Sequence, residues 1–142
     1  MSTSSPRPAP IQNPQVPREE IEFSHPSEEE LARILDFYGI EWRYEPTTFP
    51  LEWDEQGSIL EGFSPDFLLV EVGLYIELTT LRSRLMRLKH RKVRRLRELY
   101  PEIKIRLWDR KDFQRFLEHL GLEDQSSLLI GKEAVEKQNG GT

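Results

Sequence analysis

Cysteine is absent from the 142 residues, which excludes disulfides, thiolate-ligated zinc and a thiol nucleophile together and agrees with a reducing compartment. Any chemistry rests on carboxylates, lysine, histidine or hydroxyls. No run approaches the roughly 18 apolar residues of a membrane span, and the N-terminus lacks the apolar segment of a signal peptide, so a cytoplasmic protein with no membrane partner is expected. Histidine is scarce: His25, His90 and His119 lack ligand spacing and receive no role, and Trp42, Trp53 and Trp108 read as core or rim. Acid is missing from one stretch, residues 82 to 97, which holds nine of the twenty Lys and Arg. The net charge of −5 therefore conceals a strong local positive field, and the local field is what steers a polyanion.

Five of the ten prolines fall in residues 1–24 without periodicity, so that stretch is expected to be a disordered leader. Residues 25–121 read as one α/β domain and 122–142 as a polar C-terminal tail, with room for a short helix near 131–138. The segment HPSEEELARILDFYG predicts a helix over about 28–38, with Ser27 as N-cap, Glu30 closing a capping box and Gly39 ending it. Glu28 shares the stripe of Leu31, Ile34, Leu35 and Tyr38. An acid there also answers the helix dipole. A strand is expected over about 41–47, then a break at Pro50 and a polar turn at 54–57. A long helix spans Arg82 to Tyr100, a strand Ile103 to Leu107, and a last helix capped by Asp109 runs to about 120.

Between the break and the long helix lies FSPDFLLVEVGLYIELTT, residues 63–80, which reads as a β-hairpin. Phe67–Val70 and Leu74–Leu78 are short and rich in Val, Leu, Ile and Tyr, and Gly73 supplies a positive φ at the turn. A turn at 71–72 sets Asp66 directly opposite Glu77, with Cβ atoms roughly 5 to 8 Å apart. Two such carboxylates repel unless something positive lies between them, and a divalent cation is the usual answer.

Pro65-Asp66, followed by Glu77 on the next strand, resembles the PD-(D/E)XK nuclease superfamily. The order helix, three strands, helix, strand over about 27–120 is similar to its restriction endonuclease-like αβββαβ core, a mixed central sheet flanked by helices. The resemblance implies Mg²⁺ (or Mn²⁺) held by Asp66 and Glu77, Glu28 on the first core helix as a further site acid, and phosphodiester hydrolysis in nucleic acid. The family's lysine belongs two residues after the Glu, where this chain has Thr79. The ELTT ending with its KVRRLRELYP helix also looks like a bacterial branch associated with hypoxanthine phosphoribosyltransferase, although that transferase's phosphate-cradling loop is not found here.

A helical wheel offers a substitute for the lysine: Leu85, Leu88, Val93, Leu96 and Leu99 define one face of the long helix, and Lys89 and Lys92 lie inside it. Lys89 falls level with Glu77. Either lysine takes the catalytic place, or both lay their stems on the core and reach water. Arg84, Arg87, Arg91, Arg94, Arg95 and Arg97 cover the other side, and no acid lies among residues 82–97 to pair with them. They form either a solvated surface or a contact for a phosphate backbone, DNA before RNA. Two functions follow, a metal-dependent endonuclease or a catalytically inactive domain of the same fold that binds nucleic acid, a protein partner or a second copy of itself.

Overall fold

The computed structural model describes residues 6–79 and 83–119, with the side chains of Ser83 and Arg84 excepted. The expected tail 122–142, its short helix and the first five residues of the leader lie outside the described residues. The chain is mixed α/β, and among the described residues it forms three α-helices and two sheets. Strand β1 (Ile11–Gln12) precedes α1 (Pro26–Phe37), β2 (Trp42–Tyr44), β3 (Thr47–Trp53), β4 (Ile59–Phe63), β5 (Phe67–Leu69) and β6 (Leu74–Leu78). Then come α2 (Ser83–Leu99), β7 (Lys104–Trp108) and α3 (Arg110–His119).

The larger sheet has the order β2-β5-β6-β7 and is mixed: β6 and β7 run parallel across α2, the other pairs antiparallel. Its hairpin has the expected register, Phe67 opposite Ile76 and Leu69 opposite Leu74. Gly73 turns the chain at a φ of 64°, which costs glycine nothing. Because side chains alternate across a strand, Phe67, Leu69, Ile76 and Leu78 face α1 and pack with Leu31, Ala32, Leu35 and Trp108. Tyr75, Ile105 and Leu107 face the other way and meet Val93, Leu96 and Tyr100 of α2 with Phe49, Leu51 and Phe63 of the second sheet.

Several local expectations change. Pro26 takes the first helical position of α1, as proline prefers, so the cap moves back to His25, whose ring accepts from Ser27 N, and the Ser27–Glu30 box does not form. Pro50 does not break the chain but lies buried within β3, opposite Gly62, beside a register shift that accommodates a residue without a ladder N–H. The leader is not structureless over residues 11–24. Its Ile11 and Gln12 pair with Thr48 and Thr47, and Phe23 packs edge-on to Tyr44 at 4.8 Å between ring centroids. Arg18 lies over Trp42 and bonds Asp36 at 3.0 Å. Two paired residues are too few to leave a periodic pattern. In α3, Asp109 and Asp112 exchange backbone-to-carboxylate hydrogen bonds and make the cap expected there. Among the described residues, no helix is long and apolar enough to cross a membrane.

Candidate functional site

Asp66 immediately precedes β5 and Glu77 lies in β6, so the hairpin register brings them together on the α2 side of the sheet. Each carboxylate is tied to the other residue's strand. Glu77 Oε1 accepts from Asp66 N at 3.0 Å, and Asp66 Oδ2 accepts from Leu78 N at 2.9 Å. These bonds fix both side chains without joining their acid oxygens to each other. With Glu28, the pair forms a group of acids each no more than 7% exposed.

Glu28 reaches the group from the first turn of α1, where its stripe position buries it with Leu31. Its Oε1 accepts from the Tyr44 hydroxyl at 2.6 Å and from Ser24 N at 3.1 Å. Tyr44 is opposite Phe67 in the β2–β5 pair, next to Asp66, so one hydroxyl links the helix acid to the strand acid's neighbourhood. Burial and the Glu28 carboxylate both raise the Tyr44 hydroxyl pKa and keep it a donor.

Lys89 supplies the positive charge. From the inner face of α2 its Nζ reaches Glu77 Oε2 at 2.8 Å and Leu78 O at 2.6 Å. Lys89 is thus brought to the acids and Lys92 is not. One turn on, Lys92 Nζ stands 6.0 Å over the Phe63 ring, toward the second sheet, and the expectation of a catalytic Lys92 is withdrawn. The difference is angular: three residues rotate a helix by about 300°, which moves Lys92 from the hairpin toward β4. Thr79 is buried, but its hydroxyl donates to Trp108 O at 3.3 Å rather than to the Glu77 side.

The charges do not balance. Burial first, then the Glu77 and Glu28 carboxylates, push Asp66 up to about 8, against the bond from Leu78 N and the Lys89 ammonium. Glu77 is also raised, by burial, with Lys89 opposing. A fourth acid contributes. Glu45 follows β2 at a φ of 44°, held there by its N–H on Asp66 O at 2.8 Å and by Asn13 Nδ2 on its carbonyl at 2.9 Å. Its carboxyl is raised by burial and by the charges of Glu28 and Glu77. Neither Glu45 nor the Tyr44–Glu28 bond was foreseen. A left-handed non-glycine residue leaves no mark in composition, and Tyr44 lies in the strand expected over 41–47 with nothing in the sequence to tie it to Glu28.

Among the described residues, no three His, Asp or Glu side chains converge in a metal-coordinating arrangement. The donor chemistry nevertheless fits a hard divalent cation. Magnesium is commonly held by one or two carboxylates with water and substrate phosphate completing its shell, and Asp66 and Glu77 are two buried carboxylates with a backbone carbonyl, Leu78 O, beside them. Glu77 Oε2 and Leu78 O already converge on one cation, the Lys89 ammonium.

No family model, curated protein or solved structure matches the chain.

The arginine face is less free than its sequence implies. Arg91 pairs with Glu61 of β4 at 2.8 Å, Arg95 with Glu98 at 3.6 Å, and Arg97 bonds Ile105 O at 2.9 Å. Glu98, three residues from Arg95 and four from Arg94, and the cross-sheet Glu61 lie outside the acid-free stretch 82–97 and supply these partners. Arg87 and Arg94 are exposed; the Arg84 side chain lies outside the described residues. At 100° per residue, Arg87 and Arg94 point away from Lys89. The outer half of the expected apolar face is also open, with Leu85 and Leu88 each 42% exposed, while Val93 and Leu96 are buried.

Proposed function

We propose that this protein is a metal-dependent, nuclease-like hydrolase of phosphodiester bonds, built on a restriction endonuclease-like core of the PD-(D/E)XK type, with DNA or RNA as substrate. The observation that carries the reading is the contact of Lys89 Nζ with Glu77 Oε2 at 2.8 Å. A lysine from α2 stands beside the two hairpin acids although the strand itself offers Thr79. Asp66 and Glu77, with the Leu78 carbonyl, are the groups that would hold Mg²⁺ or Mn²⁺. Such an ion, when bound, polarises a phosphoryl oxygen and makes its water a stronger acid.

The chain's own residues do the rest. Hydrolysis joins a water oxygen to phosphorus and breaks the bond to the leaving oxygen, while negative charge gathers on the phosphoryl oxygens. The Lys89 ammonium answers that charge. Glu28, held on one oxygen by Tyr44 and Ser24, is the acid fixed in place to take the attacking water's proton. A cytoplasmic setting belongs to the same reading. The test is Mn²⁺- or Mg²⁺-dependent cleavage of single-stranded, duplex and branched substrates. Asp66→Asn serves as the inactive control, and activity surviving that change would point to a contaminant.

One observation favours a second reading, a binding module that has lost the chemistry. Arg87 and Arg94 face away from Lys89, so a backbone bound there does not lead directly to the acids. In that case nucleic acid or an acidic protein partner, a phosphoribosyltransferase included, would bind with steep salt dependence and without metal.

A further inference from the structure

The Lys89 ammonium donates to two oxygens at once, Glu77 Oε2 at 2.8 Å and Leu78 O at 2.6 Å. Those distances leave no room for a second cation between Nζ and either oxygen. Divalent ions take such oxygens at about 2.0 to 2.6 Å, so an ion bonded to both must displace the ammonium from at least one. Lys89 can move, because it hangs from α2 on four methylenes and its side chain is 21% exposed, whereas Glu77 and Leu78 are fixed in the β-ladder. The Asp66 carboxylate is anchored through Leu78 N and stays where it is when the lysine leaves.

We infer that Lys89 is a tethered competitor for the cation position formed by Glu77 Oε2 and Leu78 O, so that a divalent ion binds only as the ammonium withdraws. This rests on the metal-dependent reading above. The device has a use: while no ion is bound, the ammonium offsets the repulsion among Glu28, Asp66 and Glu77 and keeps the hairpin acids ordered. Once displaced it is still tethered beside the ion, where a phosphate can take it up. The same side chain therefore weakens cation binding and serves the reaction. Opposite signs for those two effects separate this role from that of a residue that merely supports the fold.

Calorimetric titration of Mn²⁺ into wild type, Lys89→Met and Lys89→Arg at about pH 8.5 tests the inference, with circular dichroism reporting on folding. Removing a unit charge that stands a few ångströms from the ion should tighten Mn²⁺ by about tenfold or more in Lys89→Met, because like charges at that separation repel in a protein-like dielectric. Lys89→Arg keeps the charge and should bind no more tightly than wild type. Binding by Lys89→Met but not by wild type would support the competition and count against the metal-dependent activity. Equal or weaker binding in folded Lys89→Met than in wild type would overturn the inference and leave the proposed function standing. Silence in every variant would overturn both. Should Lys89→Met fail to fold, Lys89→Gln carries the same prediction.

Discussion

The two faces of the β5–β6 hairpin are built from alternate residues of the same strands, yet different forces hold them. Toward α1, Phe67, Leu69, Ile76 and Leu78 make an apolar layer with Leu31 and Leu35. That layer is stabilised by burial alone, which has no direction and tolerates exchange of one hydrocarbon for another. Toward α2, Asp66 and Glu77 are about as deeply buried but depend on particular partners: Leu78 N, Asp66 N and Lys89 Nζ. A fold gains nothing from burying three acids with one lysine unless the site has another use, because replacing buried ions by apolar groups is often neutral or stabilising. The apolar face explains why the hairpin exists. The acidic face explains what it presents.

The comparison is broken most severely from the apolar side. Phe67→Ala, at a fully buried ring, should cost about 3 to 5 kcal/mol by loss of transfer energy and creation of a cavity, measured by urea unfolding. A loss under about 1 kcal/mol would mean that this layer does not carry the hairpin.

The acidic side should respond with the opposite sign. Asp66 is raised to about 8 in the folded protein from an ordinary value of about 3.9. Between those values the folded state holds a proton that the unfolded state has released, so stability falls as pH rises through this window and the penalty is complete above about 8. Asp66→Asn removes that penalty and can still accept from Leu78 N. It should match wild type below about pH 4 and exceed it near pH 8 by up to about 5 kcal/mol, the order-of-magnitude ceiling set by the linkage slope. The check is urea unfolding across pH in metal-free buffer. A variant less stable than wild type at high pH would show that the carboxylate is a structural support.

The smallest effect separates the two lysines of α2. Lys92 approaches the Phe63 ring at 6.0 Å and acts on the Glu61 carboxylate through space, so Lys92→Ala should change stability by about 0.5 kcal/mol and leave Mn²⁺ binding unaltered. A metal affinity that follows Lys92 as closely as Lys89 would erase the distinction.

Much of this contrast was open to reading in the chain itself. The hairpin register, the burial of Glu28 on the Leu31 stripe and the level of Lys89 with Glu77 all follow from periods of 2 and 3.6 and from one glycine turn. What stayed hidden depends on contacts between segments far apart in sequence. The β3–β4 hairpin was obscured because Pro50 reads as a breaker, and only a register shift opposite Gly62 lets it stand in a strand. Glu45 enters the site through a left-handed turn that Asp66 O and Asn13 stabilise from 21 and 32 residues away along the chain. Leu85 and Leu88 belong to the apolar stripe by period but extend beyond the layer that would cover them. Periodicity marks which face could be buried and not how far the partner extends.

The most direct measurement of the central claim is the rate of Mn²⁺-dependent phosphodiester cleavage in wild type, Lys89→Ala and Thr79→Lys, compared side by side. With the helix lysine in the catalytic place, Lys89→Ala should fall by about 10² to 10⁴. Thr79→Lys should be neutral or harmful, because it adds a second ammonium and removes the bond to Trp108 O. No cleavage by wild type, no effect of Lys89→Ala and a gain confined to Thr79→Lys would contradict the account, leaving a binding domain from which only the strand lysine is missing.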